Sequence, residues 1–282
     1  MGKKGGCCRH FTVATTVVFE QIQRLSEEAG SDSLKDIVMF DSSDGYKTSI
    51  PDYLERNKEK LENKVLYCSD KEGQAAYVSM CKEQGLEVLF VHALIDTHFL
   101  QFLESKDANT KYISVDSELS DVLVDDTKKS TVVDKDNKTV DDRLVDIFKT
   151  ALDDDKLKIE SKSLKSESVS GMVIESEQIK RMKQMSQFMQ QDGAPAFEDL
   201  TLIVNSNNAL VKDILTLNDG LSKESLVTSL CQHVFDLAKM SKSPLAGEQM
   251  QAFVTRSNEL MNQLSQHHLE KGSKKSKPSS KK

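Results

Sequence analysis

Tryptophan is absent from the 282 residues, and proline, with 4, and glycine, with 12, are sparse. A chain so poor in turn formers is neither collagen-like nor mucin-like nor rich in linkers. No apolar run approaches the roughly 20 residues that a membrane helix needs, and the mean hydropathy of -0.47 agrees with a soluble chain. Cysteine is scarce and unpatterned: Cys7, Cys8, Cys68, Cys81 and Cys231 are odd in number, with no CxxC pair and no Cys/His box at zinc spacing. Such usage excludes a disulfide framework and suits a reducing, cytoplasmic home. A cleavable leader is not expected, because Phe11 to Phe19 is short, is broken by three threonines and meets no small-residue cleavage site. Nor is acylation at Met1-Gly2, since position 6 is Gly6 where the myristoylation pattern takes Ser or Thr.

What is present is a chain with 38% hydrophobic and 29% charged residues, enough for cores in about two domains. The net charge of -7 conceals an asymmetry. Lys271, Lys274, Lys275, Lys277, Lys281 and Lys282 form a terminal run without an acid, and the other residues together carry -13. A body so acidic repels phosphate backbones, so nucleic acid is not an expected partner, and 267–282 reads as a basic, disordered tail.

Residues 1–32 have little periodicity and form an unmatched leader. From Leu34 the pattern sharpens. Ile37 to Phe40 is an apolar strand candidate, followed by turn chemistry from Asp41 to Gly45. Ser49 with Asp52 three residues later, and Pro51 between, marks a helix start. Val65 to Cys68 reads as a buried strand, 71–84 as a helix stopped by Gly85, 86–91 as a second strand, Ile95 to Leu103 as a helix and Tyr112 to Val115 as a closing strand. Alternating β and α with short connections predicts a small parallel sheet in an α/β/α segment over 33–123. Asp, Lys, Thr and Ser then dominate a linker at 124–142. Beyond it, 143–266 mixes helices with strands at 157–159, 168–174 and 200–204, an α+β unit whose last helices break at Gly220 and near Pro244.

No catalytic, cofactor-binding or metal-binding residues are assigned, and the chain is not expected to be an enzyme. The loop Ser69-Asp70-Lys71-Glu72-Gly73 has two acids and one glycine where a phosphate cradle needs several glycines. His92 and His98, with Asp96 between, do not match a metal motif, and Cys231 and His233, two apart on a helix, cannot meet. Two patterns carry more. Met172, Met182, Met185, Phe188 and Met189 give a soft, adaptable helical face, bracketed by Gly171 and by the stretch from Gln190 to Pro195, and such a face suits contact with varied proteins. Leu226, Leu230, Val234 and Leu237 on one helix, with Phe253, Leu260, Met261 and Leu264 on the next, form half of a bundle that a second copy would complete.

Taken in order, Leu34 to Phe40, Asp52 to Arg56, Val65 to Tyr67, Gly85 to Leu89, Ile95-Asp96 and Tyr112 to Val115 resemble the end of the middle domain of the ninety-kilodalton heat-shock chaperone family, bacterial type. Met172 to Gln191, Leu202 to Val211 and the last two helices resemble its carboxy-terminal dimerisation domain. The resemblance runs from about 33 to 266 and rests on the order of all these blocks together. It implies a homodimer whose methionine-rich helix contacts unfolded or client proteins, in a form truncated at its amino end and without the family's ATPase domain. Where the family usually reads Asn-Pro-x-His before the aliphatic pair, this chain has Asn205-Ser206-Asn207-Asn208. Two alternatives stand beside a truncated chaperone: an interaction module that forms mixed dimers with full-length family members, and a small α/β enzyme acting on an anionic metabolite.

Overall fold

The hairpin β1 (Phe40–Ser42) and β2 (Lys47–Thr48) opens the first unit in the computed structural model, which describes residues 35, 38–91, 95–117, 123–125, 138–188, 200–220 and 224–275. It is followed by α1 (Ile50–Leu61), β3 (Lys64–Cys68), α2 (Ala75–Glu83), β4 (Leu89–Phe90), α3 (Ile95–Lys106) and β5 (Lys111–Ser114). The strand order is β2-β1-β4-β3-β5. β4, β3 and β5 run parallel, as two helical crossovers demand, but β1 is antiparallel to both of its neighbours. The sheet is therefore mixed, which corrects the parallel sheet expected from the sequence. The first strand also lies later than expected. Asp41 and Ser42 belong to it, with Phe40 and Ser42 inward and Asp41 outward, and Gly45 at φ +90° makes the turn. Ser42 reads as a turn residue in the sequence but is buried, its hydroxyl donating to Glu87 Oε1 at 2.8 Å.

Local signals place the helices. Ser49 caps α1 by accepting from the Asp52 N–H at 3.3 Å, and Gly85 at φ +63° follows α2 in the left-handed conformation. α2 begins at Ala75 and not at Lys71, because the side chains of Asp70 and Gln74 hold 69–73 as a loop.

The second unit contains α4 (Val140–Leu152), β6 (Lys158–Lys162), β7 (Gly171–Glu175), α5 (Glu177–Phe188), β8 (Leu200–Asn205), α6 (Ala209–Asp219), α7 (Glu224–Met240) and α8 (Glu248–Lys275). Its sheet runs β6-β8-β7, with β6 parallel and β7 antiparallel to β8. Thr139 and Asp142 form a reciprocal capping box, so α4 starts inside the stretch read as linker. At the other end of that stretch Leu123 is buried and Val124 pairs with Leu164, while 126–137 lie outside the described residues. α8 continues to Lys275, so 267–275, read as tail, are helical, and 276–282 lie outside the described residues.

The three-stranded sheet buries both faces. Successive strand side chains point to opposite sides. Met172 and Ile203 join the core of the first unit, with Leu66, Tyr77 and Leu164. Val173, Leu202 and Val204 join a second core with Leu144, Phe148, Val211, Ile214, Cys231 and Val234 from α4, α6 and α7. The two halves thus share a sheet. Gly171 lets α7 approach it: a Cβ there would meet Ile203 O at 3.1 Å and Val234 Cγ1 at 3.3 Å.

The Asn205-Ser206-Asn207-Asn208 turn is capped by its own amides. Asn208 accepts from Val211 N as the N-cap of α6. Asn205, fully buried, accepts from Leu164 N and Asn207 N and donates to Ser166 O and Val169 O.

Candidate functional site

The methionine-bearing helix α5 leaves the end of β7 and lies against the open edge of β5. An unpaired strand edge in a folded chain needs cover. Here Glu177 and Arg181, one turn apart, supply it. Ser114 N donates to Glu177 Oε2 at 3.1 Å, and Arg181 Nη2 donates to Tyr112 O at 3.1 Å. Glu177 also accepts from Tyr67 Oη at 2.8 Å and Ser117 Oγ at 2.7 Å. As an acid in the first turn, it sits where the helix dipole favours negative charge. Burial, together with the Glu177 carboxylate beside it, pushes the Tyr67 phenol well above its ordinary range.

Next to this clamp lies a second cluster. Lys180 pairs with Asp116 and donates to Ser114 Oγ at 2.5 Å; Lys183 pairs with Glu175; and Lys242, just past α7, reaches Glu175 at 3.0 Å and Asp116 at 3.7 Å. Gln74 Nε2 donates to Asp116 Oδ1 at 2.6 Å. Burial alone would raise the Asp116 carboxyl, but Lys180, Ser114 and Lys242 outweigh it and hold the group below the usual carboxylate range. Both units and the helical layer therefore meet at one set of charges, and nothing in the sequence reading singled those residues out. The available signal was Glu177 and Arg181 at i, i+4, a spacing that more often marks a solvated pair.

The methionines separate. Met172 is 2% exposed within β7 and belongs to the first core, which corrects its assignment to a contact surface: its neighbours in the strand alternate between two cores, and no face of β7 is free. Met182 is 42% exposed. The side chains of Met185 and Phe188, and Met189 as a whole, lie outside the described residues.

The residues assigned to a second copy also separate. Val234 is fully buried in the second core and serves the chain's own fold, which corrects its assignment, while Leu230 is half buried against the same core. Leu226, Phe253 and Leu260 are half buried. Leu237, Met261 and Leu264 are exposed, as are Met250, Val254 and Leu269, all three on α8. Phe253 stacks in parallel on His233 at 5.0 Å, and Arg256 pairs with Asp236 and donates to Gln232 Oε1 at 3.0 Å, fastening α8 to α7.

The remaining candidates do not assemble chemistry. The loop after β3 turns its N–H groups inward: Ser69 N and Asp70 N donate to Gln74 Oε1, and Glu72 N and Gly73 N donate to Asp70 Oδ1. A phosphate would have to displace all four bonds. Cys68, Cys81 and Cys231 are buried free thiols, with burial pushing Cys231 up to about 12, so it is no nucleophile. His98 is half buried on α3, and His92 lies outside the described residues. Among the described residues no helix is long and apolar enough to cross a membrane, and no group of acidic, Cys or His side chains is arranged to hold a metal.

The family model described as Hsp90 protein matches residues 24–282. Among curated proteins, a chaperone protein HtpG of Bacteroides fragilis is 26% identical over 211 residues, covering 70% of this chain and 30% of that protein. The HtpG of Porphyromonas gingivalis is 25% identical over 244 residues, covering 82% of this chain and 35% of that protein. That of Bacteroides thetaiotaomicron is 22% identical over 211 residues, with shares of 70% and 30%. The chain spans about a third of the length of the curated relatives it matches.

Proposed function

We propose that this chain, which belongs to the Hsp90 protein family, is a non-enzymatic chaperone module that pairs with a second copy and holds unfolded or client proteins against the methionine face of α5. The setting proposed is the cytoplasm, where its buried thiols stay reduced. The observation that carries the proposal is Met182, an adaptable apolar side chain held in solvent by a helix whose other side is tied down by charge. The relatives' name, chaperone protein, agrees with it. Full-length family members are proposed as second partners, through the same helices α7 and α8. The enzyme alternative finds no support in the loop after β3, whose N–H donors are already engaged.

The test is suppression of aggregation of a thermally unfolding model protein by the full chain and by a Met182→Ser/Met185→Ser/Met189→Ser variant. The variant is expected to keep its stability within about 1 kcal/mol, as surface changes do, and to lose most of the suppression. Undiminished suppression would refute the client-contact role. A loss of several kilocalories per mole would show that the face is buried.

A further inference from the structure

Over 177–183, the side chains that the structure describes, the methionine helix is attached by charge. Of its described side chains, 177–183, none belongs to either apolar cluster. The attachments are Glu177 to Tyr67, Ser114 and Ser117, Lys180 to Ser114 and Asp116, Arg181 to Glu104 and Tyr112 O, and Lys183 to Glu175. Equally telling is what would remain if α5 left. Asp116 would keep Gln74, Ser114 and Lys242; Glu175 would keep Lys242 at 3.0 Å; and Glu104 would keep Lys111 at 3.7 Å. Each carboxylate left behind has another partner, so departure strands no buried acid, the circumstance that makes a broken buried pair expensive.

We propose that α5 is a charge-latched arm, able to leave the first unit while both apolar cores stay folded. Weak attachment is the expected property of an element that must move, since low local stability follows from few buried apolar contacts. An undocked helix of 12 residues is marginal in water, so the arm loses its amide protection when released. The inference stands whether or not the methionines touch clients.

Hydrogen exchange read by mass spectrometry on the full chain tests it. In a Lys180→Gln/Arg181→Gln variant, exchange over 177–188 is expected to rise about tenfold or more while β3 and β8 stay within about twofold. Unchanged exchange in the arm would overturn the proposal, as would a rise shared equally by the arm and both strands. Ile179→Ala is the apolar control: it is expected to move the arm by less than about threefold, and a rise as large as that of the charge variant would mean apolar docking. Should the double variant fail to fold, the unmodified chain decides. Raising KCl to about 1 M, where the screening length falls to about 3 Å, is expected to speed exchange in the arm alone, and no response to salt would overturn the latch.

Discussion

Replacing Leu264 with Asp is the sharpest probe of self-association, because the side chain is 61% exposed in the single chain and contributes little to its own fold. Full burial of a leucine stabilises by about 1.5–3 kcal/mol, so the exposed share has about 1–2 kcal/mol left to gain against a partner. A two-fold interface counts the change twice, giving about 2–4 kcal/mol, and at 1.4 kcal/mol per decade the dimer should weaken about 30- to 700-fold. The figure is a lower bound, since the new carboxylate must also be desolvated if it stays in an apolar seam. Met261 at 57% and Val254 at 49% lie on the same helix, and Leu237 at 39% is on α7, so the patch is not a lone residue. Leu260 would be a poorer choice: it is half buried in its own chain, and its loss would mix folding with association. Sedimentation equilibrium of the unmodified chain is expected to give twice 31.6 kDa at micromolar concentration, and the variant the monomer mass with unchanged helical content. An unmodified chain that is monomeric at tens of micromolar would refute the reasoning. So would a variant that dimerises as tightly as its parent.

Two further outcomes follow from buried polar groups. Asn205→Ala removes four hydrogen bonds and leaves buried backbone groups unpaired, and it is expected to cost about 2–4 kcal/mol in urea unfolding; a loss under about 1 kcal/mol would mean that water replaces the amide. His233 is lowered from its ordinary range by burial first and by Arg256 second, with Asp236 opposing. The unfolded chain therefore binds this proton at higher pH than the folded one, and stability rises with pH from the depressed folded value up to about 6.5 and is lost as pH falls through that window. His233→Phe keeps the stack on Phe253 and should flatten that slope, measured by urea midpoints across the window; an unchanged slope would assign the effect to another group.

Signals confined to a few neighbouring residues were readable without the structure. Ser49 before Asp52 set the start of α1, Gly85 the end of α2, and Gly220 the break between α6 and α7. What failed needed a partner distant in sequence. Ser42 and Asp41 look like turn residues until β4 arrives beside them, when a strand that pairs on both sides outweighs their poor strand propensity. Leu230 and Val234 satisfy the spacing of an association face. Yet the same spacing satisfies a core face, and it is the three-stranded sheet, laid against α7 through the gap at Gly171, that claims Val234. The face left over passed to α8, whose outward residues Val254, Met261 and Leu264 lie beyond the reach of the second core.

The same ambiguity runs deeper in α5. Periodicity divides that helix into a methionine side and a charged side, but it says nothing about which side meets the protein. The usual assumption is that apolar residues dock and charges face water, because an exposed pair adds almost nothing to stability and a buried charge is costly. In this chain Glu177, Lys180, Arg181 and Lys183 are the docking side. What makes it affordable is Asp116, Glu175 and Glu104, from three different elements, arriving at a strand edge that needs covering. The carboxylates also pair with cations outside the helix, Lys242 and Lys111, so the arm adds cations to sites that have another partner. An arrangement of this kind fixes the orientation of α5 more than it adds to its stability, since each contact is directional and replaceable. The physical consequence is that Met182 stands outward, because the charged side of the helix is the one with partners.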